Sequence, residues 1–566
     1  MRNPNLLLLC GACGVIAACA PMAPRVARER AAPSASASRH AGGAQSPQSW
    51  FADGAATAHA NLAGPARARN LIVFLGDGMS IATITAARIL DGQRKGAAGE
   101  ENRLSFERFP ATALARTYET DYQTPDSAGT MTAIMSGVKT RDGVIGIDQV
   151  PARGDCAATR GHERVTLLEL AEVAGLATGV VTTARVTHAT PAATYGHLPE
   201  RGWEDDSELP PSARAEGCID FARQLVEFPF GDGLDVVLGG GRRGFLPTTQ
   251  ADPEHASETG RREDGRDLVA EWRERTGGRH VWDRAGFDAV DPARTSRLLG
   301  LFEPGHMRYE HERASDAGGE PDLAAMTRTA LALLARNPRG YVLMVEGGRI
   351  DHAHHAGNAY RALDETIEFA EAVQAAVDAT SADDTLILVT ADHSHTLTFA
   401  GYPARGNPIL GKVRDAHGEL ARDATGLPYT TLGYANGPGH AGASDVQGEG
   451  PKRYPHAPGR QAAAAAGRPD LSEVDTGDPD YLQEATMPLG SESHGGDDVA
   501  VYARGPGADG VRGSLEQNVL FHLLVQSAPA LRAVLCELDR CDADGTPVRL
   551  PDHAALLRRD AGTAAR

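Results

Sequence analysis

Tyr341-Val342-Leu343-Met344-Val345-Glu346-Gly347-Gly348-Arg349-Ile350-Asp351-His352-Ala353-His354-His355 carries the architecture of the chain in miniature. The apolar run Tyr341 to Val345 reads as a strand buried on both faces, and a carboxylate, Glu346, stands directly after it. Beyond the two glycines, Asp351 and His355 are four residues apart. On a helix they share one face and make a metal-ligand pair, whereas His352 and His354 point elsewhere and are not read as ligands. The same layout recurs outward along the chain. Leu71 to Leu75 precede Asp77, Thr178 to Val181 precede His188 and Thr190, and Leu386 to Val389 precede Asp392 and His393. Val236 to Leu238 and Val499 to Tyr502 are further strands, the latter just after Ser493-His494-Gly495-Gly496. Helix-compatible segments such as Thr166 to Ala174, Leu323 to Ala335 and Tyr360 to Ala379 lie between the runs. The pattern predicts an α/β fold: a doubly wound, mainly parallel central sheet with helices on both faces. Such sheets bind ligands at the carboxyl ends of their strands. Carboxylates and imidazoles from distant positions would meet at that rim, where several anions stay close when cations hold them.

Pro125-Asp126-Ser127-Ala128-Gly129-Thr130 opens a run of small and apolar residues, so a helix is expected to begin at Ser127. A serine at a helix N-terminus lies beside unpaired N–H groups that suit an anion such as phosphate. Taken alone, the segment reads first as a simple N-cap by Asp126 or Ser127. Arg201, in Leu198-Pro199-Glu200-Arg201, reads alone as a surface charge, and His395 and His440 read as loop histidines.

With 566 residues, 41% hydrophobic and 23% charged, the chain can bury a large core. A formal net charge of −19, with Lys and Arg nowhere clustered, argues against nucleic acid as a partner and favours metal cations. Arg2 followed by the apolar stretch Leu6 to Ala18, too short to span a bilayer, reads as an export leader over residues 1–19. Val15-Ile16-Ala17-Ala18-Cys19 resembles the lipobox of bacterial lipoproteins and makes Cys19 a candidate lipid anchor, the sole membrane attachment expected. Cleavage after Ala20 is the alternative, and both readings place the protein outside the cytoplasm, in the periplasm or at the cell surface. Residues 20–69 are rich in Ala, Pro, Ser and Gly and read as a tether ending in a docking segment around Trp50 and Phe51. The remaining division is a core over 70–399 and 493–542, interrupted by a Gly- and Pro-rich capping insertion over 400–492 with the Ala462 to Ala466 run at its centre, and a tail over 543–566. Past the leader four cysteines remain, an even number for an oxidising compartment. Proximity favours Cys536 with Cys541, leaving Cys156 with Cys218, although four cysteines allow three pairings.

The chain resembles the alkaline phosphatases from about Asn70 to Asp542. The resemblance rests on Leu75-Gly76-Asp77-Gly78-Met79, Asp126-Ser127-Ala128-Gly129, Glu346 to His355, Thr390-Ala391-Asp392-His393 and His494-Gly495-Gly496, which fall in family order. It implies hydrolysis of phosphate monoesters, with broad specificity, through a phosphoserine at Ser127, with Arg201 clamping the phosphate. It implies two zinc ions, one on Asp351, His355 and His494, the other on Asp77, Asp392 and His393 with Ser127 adjoining. One magnesium would take Asp77, His188, Thr190 and Glu346. The histidine at 188, the spacing of Cys156 to Cys218 and the capping insertion resemble the animal-type subgroup, which supports both disulfide pairings. The same subgroup implies a calcium site at Glu254, the Phe302 carbonyl, Glu303 and Glu320, the last a glutamate where the family has aspartate. A homodimer is likewise implied. Related sulfatases carry a Cys/Ser-x-Pro-x-Arg motif that is absent around Ser127, and diesterases carry threonine there without a match to Arg201. A serine esterase would need glycine where Pro125 stands, and the intact nucleophile weighs against a non-catalytic binding protein.

Overall fold

A computed structural model describes residues 45–64, 66–424, 426–440, 452–453 and 468–564. The leader with Cys19 and the Ala462 to Ala466 run lie outside these residues.

The apolar runs pair into one ten-stranded sheet. Its order from one edge is Arg512–Glu516, Ala111–Arg116, Val499–Arg504, Thr385–Thr390, Asn70–Gly76, Tyr341–Gly347, Ala177–Arg185, Val236–Gly240, Leu298–Leu301 and Arg279–Val281. The Val499–Arg504 strand runs antiparallel to both neighbours, and every other pairing in this sheet is parallel. The three central strands are buried along their whole length, as continuous apolar runs covered by helices on both faces require. On one face Phe369, from the helix Ala359–Ala379, packs edge-on against Phe74 with ring centroids 5.8 Å apart. Register then aligns the functional ends: Leu75 lies opposite both Glu346 and Thr390, and Thr182 opposite Glu346. Glu346 is therefore the penultimate residue of its strand instead of following it.

Four strands of this sheet go unread in the sequence. Ala111–Arg116 buries only Ala113 and Ala115 in an alternation of exposed and buried positions near an edge, Arg279–Val281 is three residues long, Leu298–Leu301 is four, and Arg512–Glu516 is an edge with one buried residue. Within the stretch read as a tether, Pro47–Asn61 form a helix with a Ser46–Ser49 capping box. Trp50 and Phe51 drive it onto the body: Trp50 Nε1 donates to Gln149 Oε1 at 3.0 Å, and the Phe51 ring meets His522 at 4.5 Å. Leu397–Phe399, at the end of the core segment, joins Leu432–Gly437 and Ala485–Pro488 of the insertion in a separate three-stranded sheet. Disulfides join Cys156 to Cys218 and Cys536 to Cys541. Among the described residues no single helix is long and apolar enough to cross a membrane.

The helix Ala359–Ala379 also buries Glu365, whose carboxylate accepts the Glu310 N–H at 2.6 Å. Burial pushes Glu365 up to about 8. The folded state therefore holds a proton here that the unfolded chain has released, and that contribution to stability is present below the ordinary carboxylate range and lost as pH rises toward 8. Glu365→Gln removes the titration. The melting temperature of the variant should gain on that of the wild type between about pH 5 and about pH 9, at fixed metal supply. Parallel pH profiles would contradict the assignment.

Candidate active site

Every ligand-type residue anticipated at the strand ends arrives at one rim. Asp77 follows Asn70–Gly76 directly, and Gly78 turns the chain with φ 64°, at a point where a Cβ would lie 2.3 Å from the His395 ring. Asp392 and His393 follow Thr385–Thr390, and His188 and Thr190 follow Ala177–Arg185. Asp351 and His355 lie one turn apart on the short helix Arg349–His355. His494 opens a two-residue strand paired with Ser394-His395.

Two clusters form. In the first, Asp351 Oδ1 lies 3.3 Å from both His355 Nε2 and His494 Nε2, which are 3.1 Å from each other. In the second, His393 Nε2 lies 3.5 Å from Asp77 Oδ1 and 3.3 Å from Asp392 Oδ2. The His393 and His494 rings stack at 3.6 Å and join the two. Backbone carbonyls orient the imidazoles: His355 Nδ1 donates to Glu492 O at 2.5 Å and His494 Nδ1 to Pro125 O at 2.7 Å. Each ring therefore turns an Nε2 lone pair toward Asp351, the outer-shell arrangement of metal-binding histidines.

Asp77, Glu346 and Asp392 are fully buried. Burial, then the charges of Asp392 and Asp351, pushes Asp77 far above the usual carboxylate range. Burial likewise pushes Glu346 up to about 8, with Asp392 and Asp351 adding to it. Asp77 Oδ2, Asp392 Oδ2, Glu346 Oε1, His188 Nδ1 and Thr190 Oγ1 are buried without a hydrogen-bond partner among the described residues. Buried polar atoms are otherwise paired, so these orphaned atoms fit a site built for cations. Asp77, His188 and Glu346 bring their ligand atoms within 4.8 Å of one another.

Ser127 is the first residue of the helix Ser127–Ser136, with Asp126 as its N-cap accepting from Gly129 N at 3.0 Å. Its Oγ lies 3.2 Å from His393 Nε2 and 3.5 Å from Asp77 Oδ1. Both readings of this segment hold at once: Asp126 caps, and Ser127 faces the rim. Arg201 is no free surface charge. Its Nη1 donates to Asp126 Oδ2 at 3.0 Å and its Nη2 to His188 Nε2 at 3.1 Å. Asp126 is held down near about 2: burial opposes ionisation, but the Arg201 guanidinium outweighs it. Glu119 goes the other way, up to about 11 through burial and the neighbouring Asp126, and sits beside it as a neutral acid. A Cβ at Gly129 would lie 2.0 Å from Glu119 Oε1, which explains the glycine there.

His395, read in the sequence as a loop histidine, stands inside the first cluster. Its Nε2 is 2.7 Å from Asp351 Oδ1 and its Nδ1 contacts the Glu492 carboxylate. Only the two-residue pairing of Ser394-His395 with His494-Gly495 reveals this, and no spacing rule would have found it. His354 bonds Thr83 and Tyr434, and His440 bonds the Thr486 carbonyl, as residues outside the site do. A separate acidic cluster gathers Glu254, Glu303 and Glu320, with Phe302 just after the strand Leu298–Leu301. Arg242 pairs with Glu254 at 3.0 Å and Arg308 with Glu303 at 2.8 Å. Asp316, missed in the sequence, joins the cluster with both carboxylate oxygens buried and without a hydrogen bond, Oδ1 lying 3.6 Å from Arg308 Nε, and Glu320 Oε2 is likewise without one.

Residues 68–530 match the family described as alkaline phosphatase. The tissue-nonspecific isozyme of alkaline phosphatase from Rattus norvegicus is 42% identical over 497 residues, covering 87% of this chain and 88% of that protein. Its counterpart from Gallus gallus is 44% identical over 469 residues, covering 81% and 84%. The crystal structure of Thermus thermophilus alkaline phosphatase superposes with a TM-score of 0.57 at 25% identity, covering 84% of this chain and 94% of that one.

His395 bridges Asp351 to Glu492 and so fixes the carboxylate that the first cluster shares. His395→Ala should weaken divalent-metal retention about 10- to 100-fold, read as metal content after dialysis against a graded chelator. Unchanged retention would mean that His395 plays no part in holding Asp351.

Proposed function

The chain belongs to the alkaline phosphatase family and is a phosphatase hydrolase, and on that premise we propose how its residues divide the work. The observation that carries the reading is Ser127 Oγ, seated at a helix N-terminus between His393 and Asp77, with Arg201 braced on the adjacent Asp126.

Asp351, His355 and His494 would hold one zinc ion; Asp77, Asp392, His393 and Ser127 a second; and Asp77, His188, Thr190 and Glu346 a magnesium ion. Two imidazoles and one carboxylate suit zinc in the first set; the second and third sets each offer three oxygen donors and one imidazole, and their division between zinc and magnesium follows the family. When bound, the ions would neutralise the phosphoryl dianion, lower the pKa of the serine hydroxyl and stabilise the departing alkoxide.

The chain's own residues do the rest. Arg201 presents two N–H groups of a planar fork to two non-bridging phosphate oxygens, a geometry that an ammonium cannot reproduce. Asp126 holds that fork in place and caps the Ser127 helix, so clamp and nucleophile share one support. The unpaired N–H groups of the helix start face the same anion. Ser127 Oγ attacks phosphorus, the bond from phosphorus to the ester oxygen breaks, and the alcohol departs after taking up a proton. A water then attacks the phosphoserine, returning the Ser127 hydroxyl and releasing inorganic phosphate.

We assign calcium to Glu254, the Phe302 carbonyl, Glu303 and Glu320. The unbonded Asp316 and Glu320 oxygens support a hard cation there. A homodimer is supported by the apolar surface of the insertion, where Phe399, Tyr402, Met487 and Leu489 stand exposed. Export, with a lipid anchor at Cys19, fits a chain carrying two disulfides.

The test is hydrolysis of a chromogenic phosphate monoester against pH. Activity should rise into the alkaline range, vanish with EDTA and return with zinc plus magnesium. Ser127→Ala should lower kcat by on the order of a thousandfold or more. A metal-loaded Ser127→Ala protein that keeps wild-type turnover would overturn the phosphoserine route.

A further inference from the structure

On the far side of the Arg201 loop lies a second group of metal-type donors that the phosphatase chemistry does not use. Glu169 is buried at the start of the helix Leu167–Val173. One of its oxygens, Oε2, accepts the Thr166 N–H at 2.8 Å in a capping box. The other, Oε1, meets His197 Nε2 at 2.8 Å and His553 Nε2 at 2.9 Å. The three come from separate parts of the chain: a helix start, the loop leading to Arg201, and the first residue of the C-terminal helix His553–Ala564.

The tautomer of His197 is fixed from behind. Its Nδ1 lies 2.9 Å from Gly146 O, and a carbonyl can only accept, so Nδ1 carries the hydrogen. In the neutral ring the Nε2 lone pair then faces a carboxylate oxygen, acceptor against acceptor. A proton on Nε2, which the Glu169 carboxylate favours against burial, or a metal cation resolves that conflict, and an imidazole pinned through its other nitrogen to a carbonyl is how proteins orient metal ligands. The His553 ring is itself wedged between His197 and Phe230, with centroids 4.6 Å and 5.3 Å away. Two imidazoles and one carboxylate form the donor set of an open zinc site, and magnesium or calcium would demand more oxygen. An entry route exists: a cleft of about 460 Å³ opens onto the group, lined by Glu163, Glu216 and Arg160, with Glu227 paired to Arg223 and Arg266.

We propose that Glu169, His197 and His553 form a transition-metal site, fit for zinc and separate from the rim, that fastens the C-terminal helix to the loop carrying Arg201. Leu198 and Ile145 exchange two backbone hydrogen bonds of 2.9 Å, so an ion on His197 braces a loop already tied to the body on its other side.

The experiment compares the full-length wild type with His553→Ala and Glu169→Gln. The glutamine keeps an oxygen for the Thr166 N–H. All three are equilibrated in the same zinc buffer with excess magnesium, and zinc per chain is counted by mass spectrometry. Each variant should carry one zinc fewer than the wild type, and raising zinc beyond saturation of the rim should lift the melting temperature of the wild type alone. Equal zinc content, with equal melting responses, would overturn the site and leave a proton shared among the three residues. Phosphatase turnover measured in parallel reads the rim separately, so failure here leaves the catalytic assignment standing, and failure there leaves this one.

Discussion

The constraint on which the rest of the structure depends is the burial of three carboxylates at the end of a parallel sheet. Asp77, Glu346 and Asp392 stand at the carboxyl ends of neighbouring strands because the register that buries the apolar runs leaves them no other place. Unpaired ionised carboxylates in such surroundings cost several kcal/mol each. Asp77 and Glu346 respond by holding their protons far above the usual range. Hydrogen bonds from the chain do not remove the cost, because one oxygen of each of the three has no donor. The fold thus stores an electrostatic demand that divalent cations meet, and the chemistry of the family follows from that demand.

Around this centre the chain spends backbone carbonyls and a second carboxylate to orient rings that themselves approach Asp351. Pro125 O and Glu492 O aim His494 and His355, and the Glu492 side chain with His395 aims Asp351. Pro125 also begins the segment that ends in Ser127. The peptide that supports His494 is therefore continuous with the peptide that carries Ser127, and a shift of one would displace the other.

The central sheet was legible because its strands are buried on both faces and read as unbroken apolar runs. The rim was legible because strand ends are where such sheets place ligands. What escaped reading was set by contacts without a sequence period. Ala111–Arg116 buries only alanines in its alternation, and at Pro47–Asn61 the docking of Trp50 and Phe51 was legible but the helix that carries them was not. His395 enters the site through a two-residue strand pairing, Asp316 through a loop, and Glu119 through the close approach that Gly129 permits. Arg201 shows the same limit: its partners Asp126 and His188 lie 75 and 13 residues away, and neither spacing is a motif.

The placement of Arg201 relative to Ser127 rests on a short series of bonds that begins in the nucleophile helix itself. Thr132, one turn on from Ser127, donates through Oγ1 to Val144 O at 3.3 Å and accepts the Gly146 N–H at 3.0 Å. Gly143 O in turn accepts the Arg201 N–H at 2.8 Å, and Ile145 pairs with Leu198. The loop bearing Arg201 is therefore hung from the helix bearing Ser127 at both backbone and side chain, with Asp126 closing the circuit from Arg201 back to the helix cap. A phosphoryl group bound by the guanidinium as proposed would be held at a distance from Ser127 Oγ that does not depend on the outer loops or the insertion. Catalysis by positioning loses about a hundredfold for misplacement on the order of 1 Å, so a closed circuit of this kind lets the surface of the molecule vary while the reacting geometry stays fixed.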